Sequence, residues 1–291
     1  MPGRRTTLDG GAILVALSMV LIGSTGTAQA LGPDGIDPLV VGVLRLGIGG
    51  PVLLAAAVAL GQVSWSMPRG PLLVAAVAMA AYQPTFFGGV DRAGVAVGTI
   101  VALGSAPVFG GALGLLVRGE RPGRRWGVAT LLAIGGGGLL VGGDGGVGLD
   151  PGGVVLALGA GLSYAVFAVA TRGVLEEHPP PGVMAVALTG GGVLLAPFLL
   201  VGQTAWVGTG SGLAVSLWLA LVTTALAYGL YGFGAARLPV ATTTTVTLTE
   251  PLTASMLGLV VLGERLAAVS VVGALLLAAG LVVAGTSRRS P

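Results

Sequence analysis

A seventeen-residue pattern that occurs twice constrains this chain more than any other feature. Residues 105–121 read SAPVFGGALGLLVRGER and residues 249–265 read TEPLTASMLGLVVLGER, and eight of the 17 positions are identical. Both copies end an apolar run with Gly-Glu-Arg, and both carry a proline, Pro107 or Pro251, thirteen residues before the glutamate. A repeat of this kind in an apolar chain is typical of a membrane protein built from two related halves.

The composition indicates that most of the surface faces lipid. Of the 291 residues, 54% are hydrophobic and only 9% are charged, whereas soluble domains carry about 25% charged residues. The 54 glycines fit a bundle in which small residues let membrane helices approach closely. The chain has no cysteine, and its glycine-rich run at 135–138 lacks the Lys-Ser/Thr of a phosphate loop. We therefore predict no cofactor and no metal site.

Ten apolar runs are long enough to cross a membrane, because a hydrocarbon core of roughly 30 Å requires about 20 helical residues. The runs cover residues 11–31, 38–60, 70–88, 94–117, 126–143, 152–172, 183–202, 212–235, 239–262 and 267–286. We therefore predict an all-α membrane protein with ten transmembrane helices. The predicted units are a tail at 1–10, a five-helix repeat at 11–143, a second five-helix repeat at 152–286 and a tail at 287–291. Because five is odd, the two repeats must be inverted relative to each other.

The distribution of arginine predicts the orientation in the membrane. All 14 basic residues are arginine, and eleven of them fall on one side of the ten-span arrangement. Arg92 and Arg265 fall on the other side, and Arg45 lies within the second span. Short clusters between apolar runs favour membrane topology over nucleic-acid binding. We predict a multi-pass protein of the cytoplasmic membrane with both termini in the cytoplasm.

A second interpretation exists for the first thirty residues. Arg4 and Arg5, the run AILVALSMVLIG and the small residues that end at Ala30 are also typical of a secretory signal peptide. Cleavage would leave nine spans, interrupt the repeat and spoil the predicted orientation, so the ten-span arrangement is favoured.

Together these features resemble the ten-helix EamA branch of the drug/metabolite transporter superfamily, over residues 10–286. The two Pro-to-Gly-Glu-Arg stretches carry the resemblance, together with the arginine of the second span and the Ala-Tyr stretches around Tyr82 and Tyr228. The Leu-Thr-Glu-Pro-Leu run at 248–252 is similar to a common variant of the family. The resemblance implies secondary transport of small metabolites, often the export of amino acids or drugs.

Glu250 is the strongest candidate for a functional group. It lies about 11 residues into the ninth span, roughly 16 Å deep at about 1.5 Å per residue. A carboxylate at that depth costs roughly 2.5–3.5 kcal/mol unless it is neutralised or paired. Two interpretations have equal weight. Glu250 is a proton site or substrate contact, or its neutral form braces the backbone that Pro251 frees.

Arg45 is the second candidate, about 8 residues and roughly 12 Å from the outer end of its span. Arginine is always charged in proteins, so it must pair, reach the interface or bind an anion. A structural role is the plainer interpretation, and recognition of a substrate carboxylate is the functional one. An ion pair with Glu250 is a further alternative.

Other residues complete the candidate site. Polar tips within the third and eighth spans come from Tyr82, Gln83, Tyr228 and Tyr231. Predicted helix kinks, which often flank transport sites, lie at Pro84, Pro107 and Pro251. The threonines of the ninth span are interpreted as packing residues that bond their own backbone.

The function predicted from these observations is secondary active transport by alternating access. The expected solute is a small organic metabolite, an amino acid or a drug-like molecule. The resemblance to the EamA branch implies that it is moved outward, with protons as the coupling ion. The expected partners are the solute and the lipid bilayer, with no nucleic acid. One alternative is an integral-membrane enzyme acting on a lipid-linked substrate, which requires a polar cluster at one interface. A scaffold or sensor is a third, and would normally carry a soluble domain. The scattered charges favour the transporter.

Overall fold

The computed structural model describes residues 7–142, 150–263, 265 and 267–287. Its helices are α1 Gly10–Ala30, α2 Pro38–Ala59, α3 Arg69–Ala93, α4 Val95–Arg118, α5 Arg124–Gly142, α6 Pro151–Glu177, α7 Pro180–Leu200, α8 Gly210–Ala235, α9 Val240–Val261 and α10 Ala268–Gly285. Within the described residues, nine helices are long and apolar enough to span a membrane. Helix α5, with 19 residues, is the tenth. The prediction of an all-helical membrane fold with two repeats is confirmed. Residues 1–6 and 288–291 of the predicted tails, and Glu264 of the second Gly-Glu-Arg, lie outside the described residues.

Local sequence signals set several helix ends. The side chains of Asp9, Asp37 and Asp150 each accept a hydrogen bond from the backbone N–H two residues later, at 2.7, 2.9 and 2.9 Å. These bonds satisfy amide groups that have no partner inside the helix. Helix α4 ends where Gly119 adopts a left-handed conformation with φ of 68°, which glycine adopts without steric cost.

The two ends of the described chain lie at the same end of the bundle. Strands β1 (Thr7–Leu8) and β2 (Thr286–Ser287) form a short antiparallel pair, and the amide of Asp9 donates to the carbonyl of Gly285 at 2.9 Å. This pairing is the one departure from a purely helical fold in the described residues, and it agrees with an even number of spans.

The two halves are inverted, as the contact between α4 and α9 shows. Glu120, just after the end of α4, accepts a hydrogen bond at 2.8 Å from the backbone N–H of Val240, at the beginning of α9. The repeated pattern therefore runs toward this end of the bundle in α4 and away from it in α9. We call this end, where α4 finishes at Arg118, the Arg118 end.

Helix packing repeats between the halves. Helix α3 packs on α6 as α8 packs on α1, and α4 packs on α6 as α9 packs on α1. Helices α2 and α7 pack on each other, as do α5 and α10. This pattern is the one expected when α1–α5 and α6–α10 are related by a two-fold axis.

Glycines at the contact of α5 with α10 show the same relation at the level of residues. A side chain on Gly136 would collide with the backbone of Gly273 and Leu277. A Cβ on Gly280 would lie 2.7 Å from both the carbonyl oxygen of Ala129 and the amide nitrogen of Ala133. The two sets of contacts are related by 144 residues, since Gly280 corresponds to Gly136, Ala129 to Gly273 and Ala133 to Leu277. The interface is thus two-fold symmetric and depends on small residues.

Four of the described helices are irregular: α7 ends in a 3-10 segment at Ala196–Leu200, and the other three touch one another. Helix α1 is interrupted at Ser24, α8 contains a π-helical segment at Trp218–Leu226, and α9 divides into Val240–Val246 and Thr249–Val261. The indole N–H of Trp218 donates to the Ser24 hydroxyl at 3.0 Å. Helices α3, α4 and α6 are continuous. The bundle is therefore symmetric in packing but not in local helix geometry.

Candidate functional site

A cavity lies between the two halves, near the middle of seven helices. It is lined by Met19, Ile22, Arg45, Tyr82, Gln83, Ala102, Leu103, Ala106, Tyr164, Tyr228, Thr247 and Glu250. Its volume is about 30 Å³, which is room for ordered water but not for an organic solute. The described residues therefore line a small polar cavity.

Arg45 reaches the cavity from α2. Its Nε donates to the hydroxyl of Thr224 in the π-helical segment of α8 at 3.4 Å. Among the described residues, this is its one hydrogen bond, and no carboxylate forms a salt bridge with it. The guanidinium group thus borders the cavity with N–H groups that are not used by the described residues.

Glu250 reaches the same cavity from α9. It lies in the first turn of the Thr249–Val261 segment, where the free N–H groups of a helix favour negative charge. No hydrogen bond or ion pair reaches its carboxyl group from the described residues. The bracing contact of the structural interpretation is thus not seen in this part of the chain, and neither is an Arg45–Glu250 ion pair.

The interruption of α1 lies beside Glu250. A Cβ on Gly23 would be 2.9 Å from the carbonyl oxygen of Glu250 and 2.8 Å from the Cβ of Thr253. A glycine at position 23 therefore allows the broken region of α1 to lie directly on the broken region of α9.

All four tyrosines of the chain pack in one cluster, and three of them, Tyr82, Tyr164 and Tyr228, line the cavity. Ring centroids are 6.1 Å apart for Tyr82 and Tyr164, 6.4 Å for Tyr164 and Tyr231, and 5.8 Å for Tyr228 and Tyr231. The buried hydroxyls of Tyr164 and Tyr231 have no hydrogen-bond partner among the described residues. Buried polar atoms normally have partners, so this cluster offers hydroxyl groups and ring faces to water or to a bound solute.

Gln83 adds an amide to the same wall. The residue is 4% exposed, and its side-chain oxygen has no partner among the described residues. It packs on Gly42 of α2, where a Cβ would lie 2.9 Å from that oxygen. A glycine at position 42 thus makes space for a polar side chain at the cavity.

The structure brings together most of the residues predicted from sequence. Arg45, Tyr82, Gln83, Tyr228 and Glu250 line the cavity. Tyr231 does not line it and is fully buried behind Tyr164 and Tyr228.

The three predicted kink prolines each follow a residue of the cavity wall. Pro84 follows Gln83, Pro107 follows Ala106 and Pro251 follows Glu250. Helices α3 and α4 continue through Pro84 and Pro107, whereas α9 is interrupted just before Pro251.

Sequence reasoning missed Tyr164, Thr224 and a role for Thr247 in the cavity wall. Tyr164 is one of only four tyrosines and lies within a span, which was a usable signal. Thr247 donates to its own helix at the carbonyl of Thr244, at 2.8 Å, as predicted for the threonines, yet it also lines the cavity. Nothing local distinguishes Thr224, because its contact with Arg45 spans 179 residues.

A charge network closes the bundle at the Arg118 end. Glu176 in α6 bonds Arg118 of α4 at 2.7 Å and Arg172 of its own helix at 3.0 Å. Arg118 also pairs at 3.1 Å with Glu120, whose second oxygen holds the beginning of α9. Arg172 donates to the carbonyl of Ala236 after α8 at 3.2 Å. All salt bridges between described residues belong to this network, which joins the two halves.

Two inverted helical halves that enclose a polar cavity within an apolar exterior define the chain as an integral membrane protein of the transporter class. A sequence model of the EamA-like transporter family matches residues 9–142 and again residues 151–286. The chain belongs to the EamA-like transporter family and is a membrane transporter.

Similar proteins agree with this assignment. The uncharacterized transporter YwfM of Bacillus subtilis (strain 168) is 38% identical over 281 residues, which is 96% of this chain and 94% of the relative. The threonine/homoserine exporter RhtA of Escherichia coli (strain K12) is 31% identical over 140 residues, 47% of this chain and 45% of the relative. A solved protein structure matches with a TM-score of 0.83 at 20% identity, over 96% of this chain and 97% of its own, which concerns the fold alone. These relatives point to a transporter rather than to an enzyme acting on lipid.

Proposed function

We propose that this protein is a secondary active transporter that exports a small zwitterionic solute, an amino acid, across the cytoplasmic membrane. The observation that carries the proposal is that Arg45 and Glu250 line one cavity from opposite halves of the chain without bonding each other. An unpaired cation and an unpaired carboxylate across a small cavity match the two charges of an amino acid.

The solute is held by complementary chemistry at its two ends. Arg45 binds the carboxylate through charge-assisted hydrogen bonds, a geometry for which a guanidinium fork is suited. Glu250 binds the ammonium group, and the tyrosine ring faces contribute cation–π attraction. The similarity to RhtA, a threonine/homoserine exporter, supports an amino acid as the solute class.

Alternating access is the proposed mechanism. The closed, water-sized cavity and the charge network at the Arg118 end support an occluded state in which neither side is open. We assign the Arg118 end to the cytoplasm, because eleven arginines fall on its side. Opening of this end admits the solute, and its closure precedes release on the opposite side.

Glu250 is also the proposed coupling group. It lies in the first turn after the interruption of α9, so a change in its charge acts where the helix can bend. A proton on Glu250 and an ammonium group beside it compete for one carboxylate. This competition couples inward proton movement to outward solute movement without a second site.

The test is flux into proteoliposomes that contain the purified protein and an imposed pH gradient. The panel comprises threonine, its amide, which lacks the carboxylate, and the hydroxy acid, which lacks the amine. The proposal expects uptake of threonine driven by the gradient and little uptake of either analogue. Two results would reject the proposal: equal flux of all three solutes, or no flux of threonine or of any other amino acid in a broader panel.

A further inference from the structure

Helix α8 can be compared with its counterpart α3 by the contacts that each makes at its beginning. A Cβ on Gly49 of α2 would lie 2.5 Å from the carbonyl oxygen of Ala220 in α8. A Cβ on Gly191 of α7 would lie 3.3 Å from the carbonyl oxygen of Ala76 in α3. Gly49 and Gly191 are equivalent, because the next residues, Gly50 and Gly192, lie against Leu188–Thr189 and Leu46–Gly47 of the opposite helix. Ala220 therefore corresponds to Ala76, a shift of 144 residues.

The contacts at the other end of the same helices give a different shift. A Cβ on Gly234 of α8 would lie 2.9 Å from the amide nitrogen of Val15 in α1. A Cβ on Gly89 of α3 would lie 2.8 Å from the amide nitrogen of Ala157 in α6. At this end Gly234 corresponds to Gly89, a shift of 145 residues. Helix α8 therefore contains one more residue than α3 between these contacts, and its π-helical segment, Trp218–Leu226, accommodates it.

The π-helical segment places Thr224 against Arg45. The Thr224 hydroxyl donates to the carbonyl of Leu219, five residues earlier, at 2.8 Å, and accepts from Arg45 Nε at 3.4 Å. A hydroxyl has one proton and two lone pairs. Because the proton is used by Leu219, the oxygen faces Arg45 as an acceptor.

The contact between Arg45 and Thr224 depends on a small residue in α2 and on a hydroxyl that occurs only in α8. Gly49 follows Arg45 by one helical turn on the same face of α2, and a Cβ there would lie 2.8 Å from the Cβ of Thr224. In α3 the positions equivalent to Thr224 are Ala80 with a shift of 144 and Met79 with a shift of 145. Neither carries a hydroxyl, so this acceptor is present in the second half alone.

We infer that Thr224 is a positioning residue, which holds Arg45 by its Nε so that the remaining guanidinium N–H groups meet the carboxylate of the solute. The inference rests on the proposed function and assigns the extra residue of α8 a purpose: it builds the carboxylate-binding side of the cavity.

Thr223 provides a matched control. Both threonines are fully buried, and both donate to the carbonyl of Leu219 at 2.8 Å. Only Thr224 bonds Arg45. Thr223→Val therefore removes the same backbone bond in the same segment without touching the guanidinium group.

The experiment measures the Kd for threonine and for threonine amide by equilibrium binding to purified wild type, Thr224→Val, Thr224→Ser and Thr223→Val. Losing a hydrogen bond to a charged group changes binding by about tenfold. We expect Thr224→Val to raise the Kd for threonine by about that factor and to change the Kd for the amide by less than about twofold. Thr224→Ser and Thr223→Val should resemble wild type. Thr224→Ala, which adds no branched methyl group, replaces Thr224→Val if the latter does not fold.

Two results would overturn the inference in distinguishable ways. In the first, wild type carries threonine, but Thr224→Val binds it as well as Thr223→Val does, or binds threonine and the amide with equal losses of affinity. Thr224 is then structural and the inference is wrong. If wild type carries no amino acid, the proposed function fails and the inference fails with it.

Discussion

Arg45 in α2 and Glu250 in α9 line the same cavity from opposite halves and form no salt bridge with each other. The symmetry of the fold does not require these charges, since the counterpart of Glu250 is Ala106 with a shift of 144 residues. Ala106 also lines the cavity. One symmetric frame therefore carries a single cation and a single carboxylate, and the polarity of the cavity comes from side chains rather than from topology.

Glu250→Gln tests the coupling role, because glutamine keeps the size and hydrogen bonding of the side chain but cannot exchange a proton. We expect threonine flux to fall by about tenfold or more, since an ammonium group loses its charged partner. The remaining flux should not depend on the pH gradient. Glu177→Gln, at the exposed end of α6, is the control and should behave as wild type. Near-normal flux that still follows the gradient in Glu250→Gln would contradict the role.

Glu176→Gln tests the charge network at the Arg118 end, since Glu176 bonds both Arg118 and Arg172. Half-exposed ion pairs contribute about 0.2–1 kcal/mol each, so the loss of both pairs should shift the opening equilibrium by about two- to thirtyfold. The readout is thiol labelling of Ala106→Cys by a reagent added on the side of the Arg118 end, in a chain without native cysteine. The adjacent Glu177→Gln should leave the labelling rate unchanged. Equal rates in the two variants would show that the network does not hold this end closed.

A disulfide between Gly114→Cys in α4 and Val240→Cys in α9 tests whether the Arg118 end must open. A Cβ on Gly114 would lie 3.5 Å from the Cβ of Val240, within the range of disulfide geometry. We expect oxidation to stop flux and a reductant to restore it, while each single cysteine variant is insensitive to oxidant. Full flux through the oxidised double variant would mean that transport needs no separation of α4 and α9 there.

The ten helices were predictable because each is an apolar run long enough to span a membrane. Their inversion was predictable because the sequence repeat divides the chain into two halves of five spans. The sequence also made Arg45 and Glu250 candidates, because a charge within an apolar run stands out without any structure, and the fold places both at one cavity. The interruption of α1 at Ser24 and the π-helical segment of α8 were not predicted, since both depend on contacts between distant helices. Tyr231 was placed at the site on residue type alone, and packing places it behind Tyr164 and Tyr228 instead.

The central claim is that Arg45 and Glu250 hold opposite ends of one zwitterion, and a binding cycle that pairs each residue with one solute group tests it most directly. The measurement is the affinity of purified wild type, Arg45→Ala and Glu250→Gln for threonine, its amide and its hydroxy acid. Arg45→Ala should weaken the binding of threonine by about tenfold or more but leave the affinity for the amide nearly unchanged. Glu250→Gln should weaken the binding of threonine to the same extent and leave the affinity for the hydroxy acid nearly unchanged. Equal losses for all three solutes in each variant would contradict the account, because neither residue would then recognise a particular end of the solute.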